Sequence, residues 1–342
     1  QIAYALQSAN ISRIFATLGA DPHQLSFFWI LPPLMGMIVQ PIIGMLSDKT
    51  WCRFGRRIPY LFVGAIIAVA VMALLPNAGS LGLTTQIVMW GLTGSMLFGL
   101  FSLMFLDTSI NIAMQPFKMM VGDMVNNEQK TKAYSIQSFL CNLGSVVGYL
   151  FPLIFTYLGV QNVAPEGVIP NSVIYSFYVG AAILIACVIY TTFNVKEYSP
   201  AQLEAMPEVE EEEENTSSDS ASKKSSIGYT FFSIGLVQFF CWAAFMYMWV
   251  YSNGAIATSC FGWDGGSTAC AAFQDAGSWV SVVFCMQTVG ALLWAVILPW
   301  LEKHFGNKGA YAISLIVGAI GFASIILVHN QFVLFVSYAL VG

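Results

Sequence analysis

The chain has 342 residues, of which 57% are hydrophobic, 14% aromatic and only 9% charged, with a mean hydropathy of +0.71. A soluble globule needs far more surface charge than this, so the composition excludes one and requires a protein solvated by lipid. The net charge of −5 owes much to one acidic run beginning at Glu208, and no basic footprint for nucleic acid is present.

Crossing roughly 30 Å of hydrocarbon takes about 20 apolar residues in a helix. About ten stretches meet or approach that length, at 1–17, 27–47, 60–76, 86–116, 134–158, 172–194, 228–252, 276–301, 309–328 and from 331 onward. The first opens without a Met and the last ends inside an apolar run, so the chain reads as a piece of something longer. Of the 13 Lys and Arg residues, all but Arg13 follow even-numbered spans. Because cations accumulate in cytoplasmic loops, even-numbered spans are expected to end in the cytoplasm of a multi-pass protein of the cell (inner or plasma) membrane.

Span one places Tyr4, Gln7 and Asn10 on roughly one face, and carries Arg13 toward the opposite end. Snorkelling to the interface accounts for Arg13; pairing with an acid elsewhere is the alternative. After span two comes "GMLSDKTWCRFGRRIP", where Asp48, Arg53, Arg56 and Arg57 crowd the membrane edge. With Lys118 and Asp123 at the same end of span four, they form a candidate gate.

Span four contains "LFLDTSINIAMQPFKMMVGD". An ionisable side chain in mid-span asks for a function, because burying it costs several kcal/mol unless it is paired or wetted. Asp107 is that side chain, and helical spacing puts Asn111 and Gln115 on its face, with Lys118 further along. Pro116 leaves the carbonyl of Ile112 without its helical donor and could bend the span beside a site. A carboxyl group that exchanges its proton as water access changes could couple proton and solute, with Arg13 its candidate partner.

Gln137 and Asn142 on span five, and Gln238 and Trp242 on span seven, complete a set of amides and flat rings suited to a sugar. Gly144 and Gly148 read as close helix packing. The polar, Ser-rich segment from about 195 to 227 reads as a cytoplasmic linker, dividing the chain into a six-helix half (1–194) and a second half (228–342) of about four spans. Cys260 and Cys270 share one loop, where a disulfide is possible. After span eight "HFGNK", 304–308, echoes "RFGRR", 53–57, at the equivalent place in each half.

The loop after span two resembles that between helices two and three of the major facilitator superfamily. "ALQ" (5–7), "VQPIIG" (39–44), "SDKTWCRFGRRIPY" and the D-x-x-x-N of Asp107 and Asn111 are similar, more narrowly, to the sucrose–proton symporters and the glycoside-pentoside-hexuronide cation symporters. Ile58 and Lys118 depart from that pattern, standing where the group commonly has Arg. The resemblance implies an all-α integral membrane protein of the major facilitator fold, with two six-helix halves and twelve helices in full length. It also implies that Asp107 serves proton coupling and substrate binding.

The reading that follows is a sugar importer, for a disaccharide or other glycoside, driven by a co-transported proton through alternating access. It needs no other cofactor and no metal, and is expected as a monomer in the bilayer. A proton-coupled exporter and a transporter-fold receptor are the alternatives. Neither His-Glu-x-x-His nor Gly-x-Ser-x-Gly occurs, and the Cys lack metal spacing, which argues against an enzyme.

Overall fold

Short polar segments between the apolar runs tell the chain where each helix starts. At "DPHQ" the Asp21 carboxylate caps the first turn, Pro22 sits where no helical N–H is needed, and Gln24 reaches back to accept from the Asp21 N–H at 3.0 Å. The computed structural model describes residues 1–80, 87–89, 91–125, 127–198 and 220–342. In chain order these form α1 (Ile2–Thr17), α2 (Pro22–Lys49), α3 (Ile58–Leu74), α4 (Gly94–Asp123), α5 (Asn127–Tyr157), α6 (Asn171–Asn194), α7 (Ser220–Phe261), α8 (Ala271–Leu327) and α9 (Leu334–Val341). Among the described residues, 8 helical segments are long and apolar enough to cross a membrane, two of them, Ala271–Gly306 and Lys308–Leu327, within α8.

The fourth span differs from its expected start at 86. Ile87–Met89 and Leu92–Thr93 pair as a small antiparallel hairpin around Gly91, whose φ of 76° suits glycine. Thr93 then caps α4, its Oγ1 accepting from the Met96 N–H at 3.2 Å. At the other end, α4 continues past Pro116 to Asp123. Residues 199–219 of the expected linker lie outside the described residues, and the backbone is helical from Ser220.

Gly306 (φ 69°) breaks α8 between its two spans, as Gly55 (φ 112°) turns the chain between α2 and α3. The echo of "RFGRR" in "HFGNK" is thus a shared left-handed glycine turn. Every Lys and Arg but Arg13 follows an even-numbered span and marks the basic end of the bundle, whereas the opposite, acidic end carries Asp21, Glu166, Asp264 and Asp275 and no Lys or Arg in its loops.

Within the first half α3 packs on α4 and α6, α2 on α4, and α1 on α5 and α6. Small residues set these distances. A Cβ on Gly148 would lie 2.9 Å from the Ile2 carbonyl, and one on Gly64 would lie 2.8 Å from both the Ala113 nitrogen and the Ser109 oxygen. Because those neighbours are backbone atoms, Gly64→Ala must push α3 off α4. The expected loss is about 1–3 kcal/mol of overpacking, read as a lowered melting temperature in detergent; unchanged melting would contradict the packing. Cys260 and Cys270 both carry free thiols.

The halves meet where α1 touches α7 and α8, α2 touches α7, and α5 touches α8. Polar contacts between them cluster toward the acidic end: Ser12 donates to the Trp249 carbonyl, Ser26 meets the Tyr251 hydroxyl at 2.9 Å, and Thr268 donates to the Ala16 carbonyl. Trp29 stacks on Trp249 at 5.9 Å beside them.

Candidate functional site

Asp107 sits mid-way along α4, only 2% exposed. Gln7 of α1 donates from Nε2 to its Oδ1 at 2.6 Å, while Oδ2 has no hydrogen-bond partner. One turn on, Asn111 donates to the Asp107 main-chain oxygen at 2.8 Å and accepts from Gln40 of α2 at 2.7 Å. Thus α1 reaches the carboxyl group itself, and α2 reaches Asn111 one turn away on α4. Gln40 was hidden within the "VQPIIG" motif; only its spacing from a partner 71 residues away in sequence reveals its role.

The remaining candidates divide. Tyr4, Gln137, Ile110 and Met114 line a cavity of ≈ 590 Å³ between α1, α3, α4, α5 and α6, within a turn of Asp107 along α1 and α4. Gln137 Nε2 is buried there without a partner; outside the cavity lining, Gln7 Oε1 and the Oδ1 of Asn10, whose Nδ2 donates to the Leu6 carbonyl, are buried and unpartnered too. Asn142 is not drawn in: it donates to the Ser138 carbonyl of its own helix. Gln238 faces the Tyr311 hydroxyl within the second half, and Trp242 is 57% exposed at the edge of a ring cluster with Phe245 and Trp249.

Arg13 does not meet Asp107, nor does it snorkel. Six residues beyond Gln7, about 9 Å along α1, its side chain is 1% exposed and is held by residues of both halves. Nε donates to Gln274 at 2.7 Å, one terminal nitrogen to Ser278 at 3.3 Å, and the other to Asn162 at 2.8 Å. Asn162 in turn donates to Asp275 at 2.7 Å, so the guanidinium reaches a carboxylate through one amide. Gly277 permits the approach, since a Cβ there would stand 2.5 Å from Arg13 Cδ. This clasp ties α1 and the 162–172 segment to α8.

At the basic end, the tight turn of Cys52 to Gly55 aims two arginines at α4. Asp123 accepts from Arg56 at 2.7 Å and from Arg57 Nε at 2.6 Å, and Arg57 lies 3.2 Å from Asp48. Glu197, beyond the end of α6, was not singled out in the sequence because it lies in a polar segment. It accepts from the backbone N–H groups of Arg56, Arg57 and Ile58 at 2.7–3.0 Å and caps α3 in trans. A Cβ on Gly55 would lie 2.8 Å from this carboxylate, a second reason for glycine there. Arg53 and Lys118 are exposed, and Lys118 lines the ≈ 590 Å³ cavity. The described contacts of Asp48, Arg56, Arg57, Asp123 and Glu197 brace four elements of the first half. Glu197→Ala should loosen the start of α3 by about 1–2 kcal/mol, seen as faster tryptic cutting after Arg56 or Arg57; an unchanged digest would count against the cap.

A family model described as MFS/sugar transport protein matches residues 14–258. The human Proton-associated sugar transporter A is 27% identical over 150 residues, covering 44% of this chain and 20% of that protein. The General alpha-glucoside permease of Schizosaccharomyces pombe is 26% identical over 259 residues, covering 72% of this chain and 44% of that protein. The chain spans less than half the length of these two curated relatives. Among solved structures, a nucleoside transporter superposes with a TM-score of 0.59 at 14% identity, over 100% of this chain and 76% of the other. A D-xylose-proton symporter does so with 0.54 at 15% identity, over 99% and 77%. At such identity the likeness is one of fold, the major facilitator fold.

Proposed function

Because this chain belongs to the MFS/sugar transport family, we propose that it forms part of a proton-coupled sugar transporter in which Asp107 carries the proton. The observation behind this reading is the half-satisfied carboxyl group: buried, held by Gln7 on one oxygen, bare on the other, with no cation among its hydrogen-bond partners. A protonated Asp107 can donate from the bare oxygen to a sugar hydroxyl; an ionised one can only accept. Proton and sugar then alter each other's binding at a single atom, which is what coupling requires. Gln7, Asn10, Asn111 and Gln137 supply the surrounding amides.

In this reading the basic end faces the cytoplasm, as the gathering of Lys and Arg in its loops favours. The clasp around Arg13 joins the halves toward the acidic end, which supports reading this arrangement as a state facing inward. Alternating access would open this clasp while the brace at Arg57 and Asp123 keeps the first half rigid. Neutral glycosides fit the polar groups nearest Asp107 better than ionic solutes do, since Gln7, Asn10, Asn111 and Gln137 are amides and Tyr4 a hydroxyl; Lys118 also lines the cavity. The protein reconstituted in liposomes should accumulate maltose or sucrose when the outside is made acidic. Sugar movement indifferent to the pH gradient would remove the coupling, and export under the same gradient would reverse the direction.

A further inference from the structure

A separate cavity of ≈ 570 Å³ opens at the acidic end between α1, α2, α4, α7 and the 262–270 loop. Asn253 of α7 lines it, 3% exposed, with neither its amide nitrogen nor its amide oxygen hydrogen-bonded. Leaving such a group unpaired costs about 1–3 kcal/mol, so this wall holds a donor and an acceptor in want of a ligand. Trp263 forms part of the same wall, its ring fixed by packing on Phe273 at 4.9 Å and by donation to the Ser267 carbonyl at 3.3 Å. Asp21 and Glu166 stand on the rim.

A flat ring, a free amide and carboxylate acceptors suit a molecule that is neutral, carries many hydroxyls and has an apolar C–H face. The two acids disfavour an anion. Among the described residues no group of three His, Cys, Asp or Glu could hold a metal ion. The volume lies in the range of small-ligand pockets, about 300–1,000 Å³.

We propose that this vestibule is a second saccharide site, loaded from the acidic end and distinct from the one at Asp107; the proposal rests on the sugar-transport reading above. The vestibule communicates with the clasp. Gln274 donates from Nε2 to Thr17 Oγ1 at 3.1 Å and to the Thr268 carbonyl at 2.8 Å, both residues lining the cavity, while its Oε1 accepts from Arg13 at 2.7 Å. A sugar hydroxyl that takes over Thr17 withdraws one of the bonds that hold Gln274 on Arg13, and so favours opening toward the side the sugar came from.

The test is hydrogen exchange on the protein in nanodiscs with maltose, sucrose or methyl α-glucoside, in wild type, Asp107→Asn, and Asp107→Asn combined with Asn253→Ala or Trp263→Ala. At least one sugar should protect residues 250–268, the protection should survive Asp107→Asn, and each added substitution should weaken its affinity about tenfold, or 1.4 kcal/mol. Two variants are used so that one misfolded protein does not decide the outcome. No protection of 250–268 by any of the three sugars, affinity in both added variants equal to that of Asp107→Asn alone, or the same protection from sodium chloride alone overturns the site. If protection persists but Asp107→Asn still couples sugar to protons, the vestibule stands and the assignment of Asp107 falls.

Discussion

Replacing Asp107 by Asn abolishes uphill sugar accumulation while leaving sugar exchange in place; this is the largest functional effect expected. An imposed gradient of one pH unit is worth about 1.4 kcal/mol, enough for about tenfold accumulation if one proton travels with each sugar. Asparagine keeps the oxygen that accepts from Gln7 at 2.6 Å, so α1 and α4 stay joined, but it cannot take up or release a proton. Counterflow of labelled sugar should therefore continue, and the accumulation ratio should fall to about one. A variant that still concentrates sugar under the same gradient assigns coupling to another group.

Arg13→Gln has the second large effect, on conformation. The shorter neutral side chain cannot span Gln274, Ser278 and Asn162 together, and it leaves their acceptors buried and short of donors. Breaking a buried charged network of this kind costs about 3–5 kcal/mol, and here the loss falls on the state whose acidic end is shut. Spin labels at His23 and Asp264, on opposite halves, should report a population at longer separation that wild type lacks. Arg13→Lys should not restore the short distance, because one ammonium group cannot reproduce a planar fork that bonds three partners. Equal distance distributions in Arg13→Gln and wild type would mean that the clasp does not hold the acidic end closed.

How much of this was legible in the sequence follows from which interactions are local. The stripe of Asp107 and Asn111 is set by helical period, and the structure keeps it: Asn111 donates to the Asp107 carbonyl. The left-handed turn at Gly55 belongs to a five-residue motif and is equally local. Arg13 is the opposite case. Its partners lie 149 to 265 residues away, and their types, amides and hydroxyls rather than acids, give no charge pattern to search for. A lone cation in an apolar span suggested either the interface or an acid; the fold supplies a polar clasp between halves. Glu197 was obscured by its own surroundings, since one acid in a polar segment is unremarkable until α6 delivers it to the start of α3. The start of α4 is not legible from hydropathy, because the apolar residues 87–89 of the hairpin run on into the span that Thr93 caps.

The central claim is that the Asp107 carboxyl group changes protonation as sugar binds. Sugar-induced infrared difference spectroscopy of the carbonyl stretch of protonated carboxyl groups reads this without transport. The account predicts a band that responds to sugar in wild type and is missing in Asp107→Asn; the same band in both proteins would contradict it.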